Sequence, residues 1–332
     1  MPLPLDVRLD AALTAVPEAV RALEDAGVSG VFTYEGPTDP FLPLAVAATT
    51  TSRMALYTNL AIALPRSPMH LAYLAQDLQR ASEGRFLLGM GTQVKKHVEQ
   101  RYGTTWDSPV EQMREWVLAV RAIQTWWQTG EPVHFEGRWT RHTYAPPLFD
   151  PGPLPSGPAP LLVGAMGPKM TRMATEVADG LLVHPFCSDR SLAEHTFPLV
   201  EEGLAGRTGF TLVGQGIVGV ARDEQERAAA EQGVRTLIAF YASTPAYRVV
   251  LDVHGWGDLQ VELRDLTRAG RWDELPGAVP QEVVDEIAVV GTPAEVAVRL
   301  RTRYAGCARV GLSLPYAVST ETLGELVDSL AD

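Results

Sequence analysis

Two glycines stand where an apolar run changes into a helical pattern, in the stretch GAMGP at 164–168. The apolar residues 161–163 are typical of a strand, and proline suits the first position of a helix because its nitrogen carries no hydrogen. Bare backbone followed by the free N–H groups of a helix start forms an anion site. The same spacing also fits an ordinary strand-to-helix turn. Both interpretations therefore stay open for Gly164, Ala165 and Gly167.

Another apolar run ends in the segment GMGTQVKKH at 89–97. Gly91 leaves the backbone bare, while Thr92 and Gln93 carry side-chain hydrogen-bond donors. The segment ends in titratable side chains, which are Lys95, Lys96 and His97. The lysines suit a phosphate or carboxylate ligand and the histidine suits proton exchange. An exposed loop would carry the same residues, so each has that alternative.

Three more polar residues follow apolar runs. Glu35 comes after GVFTY, and a carboxyl group in a pocket exchanges protons when desolvation raises its pKa. Its alternative role is to orient loop N–H groups as a carboxylate. Arg66 binds an anion or pairs with a barrel carboxylate. His184 ends GLLVH and either faces a cofactor or substrate in the pocket or is a hydrogen-bonded histidine of the core.

Strand-like apolar runs alternate with helical patterns along the whole chain. About eight such strands with intervening helices predict a parallel sheet, and short apolar strands without polar alternation fit burial on both faces. No GxGxxG motif follows the first strand, so an α/β fold of the (β/α)₈ TIM-barrel type is favoured over an open sheet. We expect one domain over 1–332, with insertions at about 131–159 and 243–287.

The second insertion carries aromatic residues that fit either a substrate cavity or simple packing on the barrel, namely Tyr241, Tyr247, His254 and Trp256. A stripe on the fourth helix fits packing or a dimer interface, namely Trp116, Trp126 and Trp127. Capping boxes are predicted at 108–111 and 292–295.

The composition excludes several classes of protein. With 332 residues and a formal net charge of −12, the chain lacks the basic surface that nucleic acids require. No apolar run is long enough to cross a bilayer, and the first residues do not resemble a secretory signal. Two distant cysteines and scattered histidines predict no metal site. These features predict a cytoplasmic protein without membrane or nucleic-acid partners.

The order of several motifs resembles the luciferase-like monooxygenase superfamily, and within it the oxidoreductases that use the deazaflavin coenzyme F420. The motifs are GVFTYEGPTDPFLPLA, ALPRSPMHLAYLAQDLQRASEGRFLLGMGTQVKKHVEQRYG, FEGRW and LLVGAMGPKMTRMATEVADGLLVHPF. The resemblance implies a TIM barrel that binds its cofactor at the carboxyl ends of the strands. It also implies a homodimer. Members that use FMN share this architecture.

The resemblance assigns parts of the cofactor to residues of this chain. The turn at 164–168 would hold the phosphate, and the lysines of 89–97 the phosphate or the acidic glutamyl tail. A non-prolyl cis peptide at Ile62–Ala63 would form a bulge behind the central ring, and Asn59 or Thr58 would present a polar group to the ring edge. Glu35 stands where many relatives have an Asp-His pair, so no histidine carries over.

The function expected from this resemblance is hydride transfer between C5 of the deazaflavin and a small organic substrate, with Glu35 or His97 exchanging a proton. An FMN-dependent monooxygenase is the first alternative. The second is a non-redox phosphate-binding barrel, or a cofactor-binding homologue without catalysis. The phosphate loop of such barrels follows the seventh or eighth strand, whereas the glycine turn here follows about the fifth.

Overall fold

A computed structural model describes residues 3–331 of the chain. Its β-strands, in chain order, are β1 Leu5–Arg8, β2 Gly30–Thr33, β3 Ala55–Thr58, β4 Ala61–Ile62, β5 Phe86–Gly91, β6 Phe135–Glu136, β7 Arg141–His142, β8 Leu161–Ala165, β9 Gly180–Val183, β10 Thr211–Val220, β11 Val289–Gly291 and β12 Arg309–Ser313. Its α-helices are α1 Val16–Asp25, α2 Leu42–Thr50, α3 Pro68–Ala81, α4 Lys95–Gln100, α5 Pro109–Thr129, α6 Pro168–Val177, α7 Asp189–Ser191, α8 Phe197–Leu204, α9 Glu224–Ala242, α10 Arg248–Asp252, α11 Gly257–Arg268, α12 Leu275–Ala278, α13 Gln281–Ile287, α14 Pro293–Arg303 and α15 Thr320–Ala331.

Eight of the strands form a closed parallel ring. The order around the ring is β1, β2, β3, β5, β8, β9, β10 and β12, and β12 pairs with β1 to close it. The predicted (β/α)₈ barrel is therefore confirmed. The glycine turn at 164–168 follows β8, which is the fifth strand of the ring, as the sequence indicated.

Alternate residues of these strands point into and out of the ring. Inward side chains form one buried cluster, which contains Phe32, Tyr57, Leu162, Leu182 and Val213. Their immediate neighbours along the strands, such as Val31, Leu161 and Leu181, belong to the larger core between the ring and the helices. Alternate positions along a strand thus place their side chains either inside the ring or in the core between the ring and the helices.

The two predicted helix caps have different outcomes. Thr292 forms the predicted capping box with Glu295, since each side chain accepts a hydrogen bond from the backbone N–H of the other residue. The box at Ser108 was wrong. Ser108 has a left-handed φ of 48°, and its hydroxyl donates to the Asp107 carboxylate instead of accepting from the helix.

The segments at 131–159 and 243–287 depart from the strand–helix repeat. The first contains the small antiparallel pair β6–β7, and the second contains helices α10 to α13. The stripe of tryptophans on α5 is buried within the chain, with Trp116, Trp126 and Trp127 at most 7% exposed. The packing alternative therefore accounts for these side chains.

A buried ion pair joins the first and last strands of the ring. Asp6 of β1 accepts from the Arg309 guanidinium at 2.5 and 2.7 Å and from the Tyr57 hydroxyl at 2.9 Å. Burial raises the pKa of Asp6, and Arg309 and the Tyr57 hydrogen bond oppose that shift. The pair lies toward the amino ends of the strands, opposite the face where such barrels bind ligands.

Among the described residues, no helix combines the length and the apolar character that crossing a membrane requires.

We expect Asp6→Asn to lower the free energy of unfolding by about 3 kcal/mol, because Arg309 is then left as a buried cation without its carboxylate. Urea denaturation measures the change. Asp10→Asn is the control, since it removes an Arg8 partner that is 76% exposed, and we expect it to cost less than about 0.5 kcal/mol. Equal losses in the two variants would contradict the role given to the buried pair.

Candidate active site

The carboxyl ends of the ring strands surround a mouth whose floor is the side chain of Leu60. Leu60 follows β3 in a bulge and lies against Gly91 at the end of β5 and Gly164 near the end of β8. A Cβ atom on Gly91 would stand 2.7 Å from the nearest methyl group of Leu60, and a Cβ on Gly164 would also collide with it. Gly91 and Gly164, which were predicted to let a cofactor approach the backbone, therefore leave space for the side chain of Leu60.

The bulge contains a non-prolyl cis peptide, but at Asn59–Leu60 and not at Ile62–Ala63 as expected. The expected position was wrong because those two residues have already entered a regular ladder. Ile62 of β4 stands opposite Gly91, and the Ala63 N–H donates to the Gly91 carbonyl at 2.9 Å. Both side chains are fully buried, so they lie beneath the mouth.

Leu60 is a site residue that the sequence interpretation missed. A signal for it existed in the two glycines, since Gly91 and Gly164 occupy inward positions at the ends of adjacent strands. Two adjacent inward gaps in a packed barrel indicate that a side chain from elsewhere fills them. Leu60 fills these gaps, and it follows β3, the strand next to β5 in the ring.

Asn59 has a buried amide nitrogen without a hydrogen-bond partner among residues 3–331. Its backbone N–H donates to the Thr33 carbonyl at 2.6 Å. The neighbouring Thr58 differs, because its hydroxyl donates to the Gly89 carbonyl and accepts from the Gly89 N–H. Buried polar groups are paired in most proteins, so the free donor of Asn59 marks a position for a ligand or water acceptor.

Glu35 lies at the centre of a network that holds the bulge in place. One carboxylate oxygen accepts from the Ile62 N–H at 2.7 Å and from Arg66 at 2.5 Å. The other accepts from the Tyr102 hydroxyl at 2.7 Å. The Glu35 side chain is only 6% exposed. This geometry matches the orienting role that was the alternative to proton exchange.

Arg66 pairs with carboxylates, which was one of its two predicted roles. Besides Glu35, it contacts Asp39 at 3.4 Å and donates to the Ile62 carbonyl at 2.9 Å. The Arg66 carbonyl in turn accepts from the indole N–H of Trp116 at 2.7 Å. The guanidinium thus fixes the bulge to the start of α3.

The segment 92–102 forms one rim of the mouth. Gln93 has a left-handed φ of 61°, and its side-chain oxygen accepts from the next N–H, while the Thr92 hydroxyl donates to the Gln93 carbonyl. The side chains of Thr92 and Gln93 thus make their hydrogen bonds within the turn itself. Tyr102 ties the segment to Glu35, and burial together with that carboxylate raises the pKa of Tyr102 to about 12.

The charged residues of this rim lie on α4. Lys95 is 3.7 Å from Glu99 along the helix, and Lys96 and His97 are exposed. They therefore lie on the solvent-exposed side of the rim.

The start of α6 presents free backbone donors beside this rim, since α6 follows β8, the ring neighbour of β5. Gly167 precedes the helix with a φ of −95°, and the first helical N–H bond runs from Thr171 to the Gly167 carbonyl. Pro168 has no N–H, and the N–H groups of Lys169 and Met170 lack partners in residues 3–331. A Cβ on Gly167 would meet no protein atom within 4 Å. The turn thus leaves room beside free donors, which is the arrangement that an anion needs.

His184 stands on the wall that faces the floor. Its ring lies 4.3 Å from the Tyr247 ring and 4.9 Å from the Tyr241 ring, measured between centroids. Its Nδ1 accepts from the Phe186 N–H at 3.1 Å. Burial lowers the pKa of His184 to about 3. The imidazole therefore stays neutral across the physiological range.

The aromatic residues of the second insertion divide into two groups. Tyr241 and Tyr247 surround His184, as above. His254 stacks on Trp256 with 4.3 Å between centroids and bonds the Ser188 hydroxyl at 2.8 Å. The second pair fastens the insertion to the loop after β9.

The sequence matches a family model described as luciferase-like monooxygenase over residues 4–309. The chain belongs to the luciferase-like monooxygenase family. An uncharacterised Mycobacterium tuberculosis relative in this family is 42% identical over 325 residues, which are 97% of this chain and 96% of the relative.

A second M. tuberculosis relative, provisionally named as a coenzyme F420-dependent oxidoreductase, is 31% identical over 299 residues, which are 82% of this chain and 83% of the relative. The fold is similar to that of the coenzyme F420-dependent tetrahydromethanopterin reductase of Methanopyrus kandleri. That comparison has a TM-score of 0.81 at 20% identity and covers 99% of this chain and 98% of the reductase.

In this luciferase-like barrel, we expect Tyr102→Phe to speed amide hydrogen exchange over residues 92–104. The substitution removes the hydroxyl bond to Glu35, and a hydrogen bond to a charged group contributes about 1.5–3 kcal/mol. Mass spectrometry of peptides measures the exchange. Tyr144→Phe, at a residue 82% exposed, is the matched control. Unchanged exchange in Tyr102→Phe would show that the bond does not hold the rim.

Proposed function

We propose that the protein is an oxidoreductase that binds coenzyme F420 in the barrel mouth and acts on a small organic substrate. The observation that carries the proposal is the buried, unpartnered amide of Asn59 beside the Leu60 floor. A flat ring resting on Leu60 would offer this donor an acceptor at the ring edge. The name of the 31% identical relative supports the choice of F420.

The residues of the mouth divide the binding of this coenzyme among them. Leu60 supports the ring from below, and Asn59 donates to its edge. The start of α6 at Gly167, with Gly164 and Ala165 before it, receives the phosphate through the free N–H groups of Lys169 and Met170. Lys95 and Lys96 on α4 attract the acidic glutamyl tail. When bound, the deazaflavin supplies a hydride-accepting or hydride-donating carbon, C5.

Glu35 takes part by positioning the bulge. Its three hydrogen bonds leave little of its carboxylate for a substrate. The Glu35 N–H also donates to the Leu60 carbonyl at 3.1 Å, which ties Glu35 directly to the bulge. We therefore propose this role for Glu35 instead of the proton exchange considered first. His97 lies on the exposed rim, which supports a contact with the coenzyme tail more than a part in the chemistry.

Titration of the purified chain with F420 and, separately, with FMN tests the proposal. Coenzyme fluorescence follows the binding, and we expect saturable binding of F420 and at least roughly tenfold weaker binding of FMN. Tight binding of FMN without binding of F420 would favour the monooxygenase alternative. Binding of inorganic phosphate with neither coenzyme would favour the non-redox barrel.

Gly167→Ala tests where the phosphate lies. The added methyl group meets no protein atom within 4 Å, so we expect the variant to keep its unfolding free energy within about 1 kcal/mol. A phosphate against this backbone would meet the methyl group, and we expect F420 affinity to fall roughly tenfold. Gly277→Ala on α12, which also meets no atom within 4 Å, is the matched control. Unchanged affinity in Gly167→Ala would place the phosphate elsewhere.

A further inference from the structure

One wall of the mouth combines three aromatic side chains with polar atoms that have no hydrogen-bond partner among residues 3–331. His184 lies between Tyr241 at the end of α9 and Tyr247 just before α10. The two tyrosine rings meet edge to face with 5.7 Å between centroids. Rings at these distances touch one another, so the three side chains form one packed aromatic wall.

Strand parity turns the His184 side chain toward the barrel axis. Leu182, two residues earlier, belongs to the inward cluster, whereas Val183 belongs to the outer core. Leu182 also reaches β5, since it lies 2.7 Å from the position that a Cβ on Gly89 would occupy. His184 is one layer higher, at the level of Gly91 and the Leu60 floor.

The hydrogen bond at Nδ1 fixes the tautomer of His184. The Phe186 N–H can only donate, so Nδ1 must accept and the ring proton must lie on Nε2. If Nδ1 were also protonated, its N–H would point at the N–H of Phe186 and the hydrogen bond would be lost. Burial also lowers the pKa of His184 to about 3. His184 is thus a permanent neutral donor through Nε2.

Three polar atoms of this wall remain available to a ligand. Nε2 of His184 and the hydroxyls of Tyr241 and Tyr247 have no hydrogen-bond partner among residues 3–331, and none of them is sealed from solvent. His184 also lines a cleft between the β8 and β9 ends and α10. Two further groups belong to the surroundings of this wall: Arg8 at the end of β1 pairs with Asp10 at 3.0 Å, and the exposed His195 lines the same cleft as His184.

We propose that His184 and the aromatic wall bind the substrate, and that the substrate is an uncharged compound whose carbonyl oxygen accepts the Nε2–H of His184. This inference rests on the function proposed above. A neutral donor suits a carbonyl oxygen, whereas a carboxylate would be recognised by a cation. The wall offers the rest of the substrate an apolar surface that carries the hydroxyls of Tyr241 and Tyr247.

The experiment measures binding of 4-fluoroacetophenone to the full chain without coenzyme, by broadening of the ¹⁹F resonance. The comparison probe is 1-ethyl-4-fluorobenzene, which has a similar shape but no oxygen. In His184→Phe we expect ketone binding to weaken roughly three- to tenfold, the effect of one lost hydrogen bond, and binding of the hydrocarbon to stay unchanged. His184→Gln, which places an amide N–H near Nε2, should restore most of the ketone affinity.

Several results would overturn the proposal. These are equal weakening of both probes, no ketone binding by the unmodified chain, and loss of F420 affinity in His184→Phe with ketone binding unchanged. If His184→Phe does not fold, a pH series on the unmodified chain decides. The Kd for the ketone should be flat between about pH 5 and pH 8, and a step at the ordinary histidine pKa would contradict a neutral donor.

The two proposals can fail separately. The ketone experiment contains no coenzyme, so its failure leaves the F420 titration untouched. Failure of F420 to bind would remove the proposed redox function, while ketone binding that depends on His184 would still define a ligand site.

Discussion

Closure of eight parallel strands into a ring gives the molecule one interior that all inward side chains must share. In most layers the strands fill it themselves, with Phe32, Tyr57, Leu162 and Val213. In the layer nearest the mouth, β5 and β8 contribute only glycine, and Leu60 fills the gap from the end of β3. The position of Leu60 then determines where the floor lies, which wall faces it and which polar groups stay unpaired.

The two ends of the barrel handle their polar groups differently. At the amino ends, Asp6, Tyr57 and Arg309 satisfy one another in a buried network. At the carboxyl ends, Asn59 and the N–H groups at the start of α6 lack protein partners within residues 3–331. One end therefore contributes to stability, while the other keeps donors available for a ligand. Glu35 serves both needs, because it stabilises the bulge that carries the available donor of Asn59.

The sequence predicted the fold well and the site only in part. Strand and helix patterns alternate clearly, so the barrel and the place of the glycine turn after the fifth strand followed from short-range signals. The bulge did not, because its position depends on where β4 begins to pair with β5, and residues 59–63 carry no local signal for that register. The expected cis bond was therefore placed three residues too late.

The hydrogen-bond partners of the site side chains also could not be predicted from the sequence. Glu35 is distant in the chain from both Arg66 and Tyr102, and only the fold shows that these partners occupy its carboxylate. The neutral state of His184 depends on one backbone N–H and on burial, which the motif GLLVH does not reveal. The homodimer and the cytoplasmic location expected from the sequence stay predictions.

The bond between Asp6 and Arg309 joins residues 303 positions apart, and it has a consequence for synthesis. The strand that pairs with β1 on this side is β12, and its Arg309 is made 303 residues after Asp6. At roughly 5–20 residues per second, a ribosome needs about 15–60 s to reach it. Throughout that time β1 has an unpaired edge, so the nascent chain must avoid wrong pairing before the ring can close.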